Sequence, residues 1–161
     1  MATTEVTEHV AVPAPEVFEL IARPDRHPLW QKDLTSDGIV SGDGGVGSQG
    51  REVRHVMGRS VITEYEITKH AAPRSWGFRT TSGPISMEGA FTCVPTEGGT
   101  EVRARIRFSG WSGEAMARFA TRQFRQHLRE LKDLAERGGP IADDTVHETQ
   151  GNGADDAFRK G

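Results

Sequence analysis

The longest regular pattern of hydrophobic positions lies near the end of the chain, over residues 112–137. Apolar side chains recur there at steps of three and four residues, the spacing that places them on one face of an α-helix. These positions are Met116, Phe119, Ala120, Phe124, Leu128, Leu131, Leu134 and Ala135. Ser112 is a suitable N-cap, and the Gly-Gly-Pro sequence at 138–140 favours the helix end. The sequence therefore predicts one long amphipathic helix whose apolar face needs a partner.

Alternating apolar and polar residues in the upstream part of the chain predict that partner, a curved antiparallel sheet. Seven strands are expected near 5–12, 34–40, 51–57, 60–69, 75–81, 85–94 and 100–108. Two short helices, near 16–21 and 24–30, follow the first strand. A curved sheet that grips a long helix encloses a hollow. We therefore expect an α+β fold with an internal cavity of several hundred cubic ångströms, the size range of small-molecule sites.

Length and charge limit the possible functions. The 161 residues suit one domain over residues 1–140, followed by a polar tail at 141–161 that is expected to be disordered. The net charge of −3 argues against a nucleic-acid surface. No apolar run is long enough to span a membrane and no signal peptide is recognisable, which predicts a cytoplasmic protein.

Metal and cofactor sites are not expected. Cys93 is the only cysteine, which excludes an internal disulfide and a thiolate-based zinc site. No two histidines have the i, i+4 spacing of a helical metal site. The glycine pattern at 42–47 has the spacing of a phosphate-binding loop, but a predicted strand follows it instead of a helix, so it is interpreted as a loop.

Three segments carry a resemblance to a known family. Residues 12–22 with Trp30, residues 63–66 with Pro73-Arg74, and residues 98–102 resemble the START-like (SRPBCC) helix-grip superfamily, in particular its polyketide cyclase/dehydrase-like branch. The resemblance covers about residues 4–137. It implies a seven-stranded curved antiparallel sheet wrapped around a long C-terminal helix, with two short helices after strand one and a ligand cavity between sheet and helix.

Strand periodicity indicates which side chains line that cavity. On strand three, Val53, His55 and Met57 are predicted to point inward, and the arginines of the strands outward. The predicted ligand-binding residues are mainly aromatic or aliphatic with a few polar groups. They are Trp30, Thr63, Trp76, Phe78, Met87, Phe91, Phe108, Met116, Phe119, Gln123 and His127.

His55 and Tyr65 are the predicted catalytic pair. A two-residue turn at Gly58-Arg59 would pair His55 with Ile62 and place it on the order of 10 Å from Tyr65. His55 would then move a proton, while Tyr65 would donate to a developing enolate oxygen. A purely structural role for His55 is the competing interpretation, and His27 beside Trp30 is interpreted as a gating residue.

Two functions remain open at this point. The first is a cofactor-independent enzyme that cyclises or dehydrates a polycyclic or polyketide-like compound. The second is a non-catalytic carrier or sensor of a hydrophobic small molecule. In either case the expected partner is a hydrophobic small molecule, neither nucleic acid nor a membrane span is expected, and both a monomer and a homodimer are compatible with the sequence.

Overall fold

The structure is a computed structural model that describes residues 2–110 and 113–138. Its elements, in chain order, are β1 (Ala2–Val10), α1 (Ala14–Ala22), a 3₁₀ helix (Pro24–Leu29), β2 (Leu34–Ser41), β3 (Gln49–Val56), β4 (Arg59–Ala71), β5 (Ser75–Ser82), β6 (Met87–Thr96), β7 (Gly99–Phe108) and α2 (Gly113–Glu136). The strands form one antiparallel sheet in the order β1-β7-β6-β5-β4-β3-β2. The predicted seven-stranded helix-grip fold is confirmed.

Helix α2 packs against β1 and β7 and also reaches α1. Its buried side chains include Ala120, Leu128 and Leu131, three members of the predicted apolar stripe, whereas Phe119 is 45% exposed. Ala117 is also buried and lies on the side of the stripe away from Phe119, so the contact face is rotated away from Phe119. The proposed cap Ser112 and the tail at 141–161 lie outside the described residues.

The two short helices after β1 close one end of the core. Val17, Phe18 and Ile21 of α1 are buried. Trp30, which follows the 3₁₀ helix, is completely buried and donates its indole N–H to the Leu20 carbonyl at 3.0 Å. Within the described ranges, no helix is long and apolar enough to cross a membrane.

The β3–β4 hairpin turns one residue earlier than predicted. Val56 pairs with Arg59, so the turn residues are Met57 and Gly58 rather than Gly58 and Arg59. Both turn residues have positive φ, +50° and +80° respectively. This left-handed pair is the backbone of a type I′ turn, whose twist matches that of the flanking strands.

The same hairpin decides which residues of β3 face inward. Thr63 and Tyr65 are buried, and their partners across the hairpin are Glu52 and Gly50. Directly opposed residues on antiparallel strands share a face, so alternate residues of β3 from Gly50 to Arg54 point inward.

The inward positions predicted on β3 are therefore wrong. Val53 and His55 lie on the opposite face from Glu52, and His55 is exposed. Met57 has left the strand altogether and is 92% exposed in the turn.

Candidate functional site

A cavity lies inside the protein, between strands β2 to β6, the 3₁₀ helix and α2. Its lining residues are His27, Gln31, Asp37, Glu52, Arg54, Thr63, Tyr65, Trp76, Phe78, Thr80, Met87, Phe91 and Phe124. Most polar members come from the segment between the 3₁₀ helix and β4, whereas β5, β6 and α2 supply the aromatic side chains and Met87. The cavity thus has a polar wall next to an aromatic wall.

This cavity is smaller than predicted. Its volume is about 40 Å³, whereas one water needs roughly 10–15 Å³. Aromatic rings fill the remaining interior: the Trp76 centroid is 5.8 Å from that of Phe78 and 6.3 Å from that of Phe91, and Phe91 is 6.2 Å from Phe124. The cavity can admit a ligand of two or three rings only if some of these side chains move.

His27, Asp37 and Tyr65 form a buried hydrogen-bonded chain, here called the His–Asp–Tyr chain. The His27 Nε2 lies 2.6 Å from the Ile21 carbonyl, and because a carbonyl only accepts, Nε2 carries a proton. The His27 Nδ1 lies 2.8 Å from one oxygen of Asp37, and the Tyr65 hydroxyl donates to the other at 2.7 Å. The side chains of His27 and Asp37 are only 4% and 1% exposed. Both oxygens of Asp37 are therefore engaged inside the protein.

Tyr65 is held in place from several sides. It lies opposite Gly50 on β3, and a Cβ atom at Gly50 would overlap the Tyr65 ring and hydroxyl. The rings of Trp76 and Phe78 make edge-to-face contacts with the tyrosine ring, with centroid distances of 6.3 and 6.4 Å. Burial, together with the nearby charge of Asp37, raises the pKa of Tyr65 well above its usual range. The phenol consequently stays protonated.

Arg54 is the centre of a second polar cluster, here called the Arg54 cluster. Its Nη1 donates to both oxygens of Asp33 at 2.7 Å, and its Nη2 donates to the Gln31 side-chain oxygen at 2.8 Å. Its Nε and Nη2 make longer bonds, of 3.4 Å each, to the two oxygens of Glu52. Each of the three guanidinium nitrogens therefore already donates to a protein oxygen.

The Arg54 cluster extends through the wall of the cavity to α2. The ring Nε2 of His127 lies 2.9 Å from the Asp33 Oδ1, which also accepts from Arg54, and Asp33 and His127 both line a groove outside the cavity. Burial alone would raise the pKa of Asp33, but the hydrogen bond from His127 and the charge and hydrogen bonds of Arg54 hold it well below its usual value. Burial likewise opposes the charge of Arg54, yet Glu52 and Asp33 keep the pKa of Arg54 above its ordinary value. Asp33 and Arg54 are thus a fixed ion pair.

Glu52 and Thr63 are directly opposed across the β3–β4 hairpin and both line the cavity. Within the described residues, the Thr63 hydroxyl makes no side-chain hydrogen bond, and Glu52 makes only the two long bonds to Arg54. The indole nitrogen of Trp76 is buried, and it too has no partner in the described part of the chain. A carboxylate, a hydroxyl and an indole N–H thus keep hydrogen-bonding capacity that a ligand can use.

Six of the predicted site residues do line this cavity. They are Thr63, Tyr65, Trp76, Phe78, Met87 and Phe91. Their inward placement follows the predicted period of two, and their roles toward a ligand stay predictions.

His55, Gln123 and His127 line a different surface. They share an external groove with Lys32, Asp33, Gln126 and Glu130. The predicted His55–Tyr65 pair inside one cavity is therefore wrong, because His55 lies on the outer face of β3. His127 misses the cavity because its ring is tied to Asp33, on the groove side of the Arg54 cluster.

Four further predicted residues lie away from the cavity. Trp30 and Phe108 are buried in the core, Met116 packs at the edge of the core cluster that contains Phe108, and Phe119 is exposed. The α2 residue that does line the cavity is Phe124, which lies on the predicted stripe.

Charged and polar residues account for most of what the sequence interpretation missed. These cavity residues are Gln31, Asp37, Glu52, Arg54 and Thr80, while His27, interpreted from the sequence as a gating residue, also lines the cavity. A signal for two of them was present, because a hairpin that buries Thr63 and Tyr65 also turns Glu52 and Arg54 inward. Among the described residues, no cluster of three or more histidine, cysteine or acidic side chains has the geometry to hold a metal ion.

Comparison with known proteins agrees with this architecture. A family model described as polyketide cyclase/dehydrase and lipid transport matches residues 1–136. No curated protein sequence matches the chain.

Several solved structures share the fold. A START superfamily protein from Mycobacterium smegmatis is 17% identical, with a TM-score of 0.74, and the match covers 84% of this chain and 97% of that one. The Zhui aromatase/cyclase from Streptomyces sp. R1128 is 18% identical, with a TM-score of 0.74 and coverages of 84% and 94%. The di-domain ARO/CYC StfQ from the steffimycin biosynthetic pathway is 22% identical, with a TM-score of 0.71 and coverages of 83% and 45%. At these identities the likeness establishes the fold alone.

Proposed function

Because the chain belongs to the polyketide cyclase/dehydrase and lipid-transport family, we propose that it binds a hydrophobic, polyketide-like compound in its internal cavity and catalyses a dehydration or cyclisation. The reaction needs no cofactor in this proposal, because the cavity wall supplies both a carboxylate and hydroxyl groups. The predicted cytoplasmic location is retained as part of the proposal.

The single observation that carries this proposal is the Glu52–Thr63 pair. The two residues oppose each other on β3 and β4, and both line the cavity together with Trp76 and Phe91. Directly opposed residues have Cβ atoms roughly 4.5–5.5 Å apart. A carboxylate and a hydroxyl at this spacing can contact neighbouring atoms of one substrate held against the aromatic wall.

The chemistry assigned to this pair is the elimination of water from a β-hydroxy ketone. Glu52 removes a proton from the carbon next to the carbonyl, and the electron pair moves to the carbonyl oxygen, where the Thr63 hydroxyl donates a hydrogen bond. The enolate then re-forms its carbonyl as the β-hydroxyl leaves. That hydroxyl takes the proton back from Glu52, so one molecule of water and one enone are formed and the carboxylate is regenerated.

Arg54 positions the base in this scheme. Its bonds to Asp33 and Gln31 are short, which fixes the guanidinium, whereas its two bonds to Glu52 are 3.4 Å long. Glu52 is consequently oriented while keeping lone pairs for the substrate. The role first predicted for His55 passes to Glu52, because His55 is on the outer face.

Substrate entry requires the cavity to open. Among its aromatic and aliphatic lining residues, Phe78, Met87 and Phe124 are only half-buried, whereas Trp76 and Phe91 are buried. We assign the three half-buried side chains to the entrance, where outward rotation enlarges the cavity without disturbing the buried core.

A carrier or sensor is the second candidate. Each nitrogen of Arg54 and both oxygens of Asp37 are already engaged within the protein, so a ligand can occupy the cavity without any of these groups changing protonation. In that case Glu52 and Thr63 only orient the ligand.

The two candidates differ in what happens to a simple aromatic β-hydroxy ketone. We suggest 4-hydroxy-4-phenylbutan-2-one, whose dehydration yields a conjugated enone with a new ultraviolet absorption. Wild-type protein should form the enone, and Glu52→Gln should lower kcat by about 10²-fold or more, as expected for loss of a general base, while binding is retained. Glu64→Gln is the matched control, because Glu64 is an exposed glutamate on β4. Binding without turnover in the wild type would favour the carrier, and an undiminished kcat in Glu52→Gln would overturn the role of Glu52.

A further inference from the structure

The direction of one hydrogen bond restricts what the cavity can recognise. The His–Asp–Tyr chain runs from the Ile21 carbonyl through His27 and Asp37 to the Tyr65 hydroxyl. The direction of hydrogen bonding in this His–Asp–Tyr chain is fixed at the Ile21 end, because a carbonyl oxygen can only accept a hydrogen bond. The direction is also fixed at the tyrosine end, where the phenol donates its only proton to Asp37.

The Tyr65 hydroxyl donates to Asp37 whether the proton between His27 and Asp37 resides on the histidine or on the carboxylate. If His27 is an imidazolium, Asp37 is a carboxylate and both of its oxygens accept. If the proton resides on Asp37, it sits on the oxygen that faces the His27 Nδ1, and the other oxygen still accepts from Tyr65. In both cases the Tyr65 oxygen has a free lone pair and no free proton.

The charged groups of the polar wall offer no free proton either. Glu52 accepts through both oxygens, and the nitrogens of Arg54 already donate to Asp33, Gln31 and Glu52. A ligand group beside Tyr65 and Glu52 must therefore bring its own proton. A ligand carboxylate there would place a second anion next to Glu52, whose cationic partner Arg54 is shared with Asp33.

We propose that the ligand presents a phenolic or enolic hydroxyl to Tyr65 and Glu52, so that the cavity selects hydroxyaromatic compounds over the matching ethers and carboxylates. This inference rests on the proposed site and specifies its ligand class. Carbonyl oxygens of the same ligand meet the Thr63 hydroxyl, beside Glu52, and the Trp76 indole N–H, both of which have no protein partner among the described residues. Tyr65 and Asp37 are the residues that determine this selectivity.

The role of Tyr65 differs from the one the sequence suggested. To stabilise an oxyanion, Tyr65 would have to donate a hydrogen bond to it, but the Tyr65 hydroxyl already donates its proton to Asp37. The raised pKa of Tyr65 is consistent with this arrangement, since the buried phenol beside Asp37 does not ionise to become a base.

The test uses three probes that share one ring system: 2-naphthol, 2-methoxynaphthalene and 2-naphthoate. Isothermal titration calorimetry on the full-length protein measures their affinities without requiring turnover. In the wild type, the dissociation constant of 2-naphthol should be about tenfold lower than that of the ether, a difference of about 1.4 kcal/mol. The carboxylate should bind at least as weakly as the ether.

Two variants examine the origin of this preference. Tyr65→Phe removes the acceptor, so the naphthol and the ether should bind within about twofold of each other. Asp37→Ala releases the phenol proton toward the cavity, so the ether should gain affinity relative to the naphthol. His55→Ala, which alters an exposed side chain on the outer face, should keep the wild-type preference. Circular dichroism and thermal melting establish whether each variant is folded before its affinities are compared.

The outcomes separate this inference from the proposed function. Equal affinity of the wild type for the naphthol and the ether would overturn the inference alone, as would a full preference retained in folded Tyr65→Phe. Should Asp37→Ala be unfolded, the wild-type and Tyr65→Phe ratios still decide the matter. Absence of binding by all three probes would overturn both proposals, whereas a clear preference without any turnover would support this inference and count against catalysis.

Discussion

The Tyr65 ring can occupy its position only because Gly50 has no side chain, so Gly50→Ala is the most direct perturbation of the site. The added Cβ would overlap the far end of the Tyr65 ring and its hydroxyl. Gly50 does not have a positive φ, so the expected cost is steric and not a matter of backbone strain. Overpacking of this kind costs about 1–3 kcal/mol of unfolding free energy, and we expect the upper half of this range because the ring is enclosed by Trp76 and Phe78.

Gly38→Ala is the matched control. Gly38 lies on β2, the edge strand next to β3, but a Cβ there has no atom within 4 Å. Replacing a strand glycine by alanine without a clash should be neutral or stabilising by about 0.5–1 kcal/mol. Opposite effects of the two substitutions would therefore isolate the contact with Tyr65.

The cost of Gly50→Ala is then measured again by urea unfolding in a second background, Tyr65→Leu. The Tyr65→Leu variant lacks the ring atoms that meet the new Cβ, so Gly50→Ala should cost less than about 0.5 kcal/mol there. The coupling free energy between the two sites should then be about 1.5–3 kcal/mol, within the range of about 0.5–3 kcal/mol seen for residues in contact. An equal cost of Gly50→Ala in both backgrounds would refute the placement of the Tyr65 ring over Gly50.

Three further predictions follow from the described contacts. Because the pKa of Asp33 is lowered in the folded protein, its carboxylate stabilises the fold fully above the ordinary carboxyl pKa of about 4 and loses this contribution as the pH falls toward the folded-state pKa. The unfolding free energy should therefore fall more steeply with decreasing pH in the wild type than in Asp33→Asn. Equal slopes in the two proteins would contradict this. Burial raises the pKa of Cys93 to about 12, so a thiol reagent should modify it only after denaturation, and rapid labelling of the native protein would be inconsistent with its burial. Phe124→Ala should cost less than about 3 kcal/mol in denaturant unfolding, because the ring is half-buried at the cavity wall, and a larger loss would assign it to the core.

The fold was predictable because its two periodicities are strong and independent. Apolar residues recur at three- and four-residue steps in α2 and alternate with polar residues in β4 to β7. Each pattern produces an apolar face that must be buried against a large surface, and in this chain the helix face and the sheet face suit each other in size. Their boundaries agree with the structure within a few residues at most positions, as for β7, predicted at 100–108 and observed at Gly99–Phe108. Helix rotation was less well determined, because Phe119 and Phe124 both belong to the predicted stripe and tertiary packing decides which of them faces the sheet.

The charged half of the cavity wall was not predicted, and the reason is the preference given to apolar residues. On β3, the alternatives were a face with Val53, His55 and Met57 or a face with Glu52 and Arg54. Hydrophobicity favours the first, since burying unpaired charges is unfavourable. The structure has the second, in which Arg54 is paired with two carboxylates and an amide supplied by its own strand and by the segment before β2.

Pairing geometry carries more information about this wall than hydrophobicity does. The predicted turn at Gly58-Arg59 and the observed turn at Met57-Gly58 differ by one residue, so the partner of each β3 residue shifts by two positions on β4. A shift of two conserves the face of every side chain, since strand side chains alternate with a period of two. Either register therefore places Glu52 and Arg54 on the same face as Thr63 and Tyr65. Once the burial of Tyr65 is accepted, the inward direction of the two charged residues follows from the hairpin alone, and the search for their buried counter-ions would lead to Asp33 and the polar residues around it.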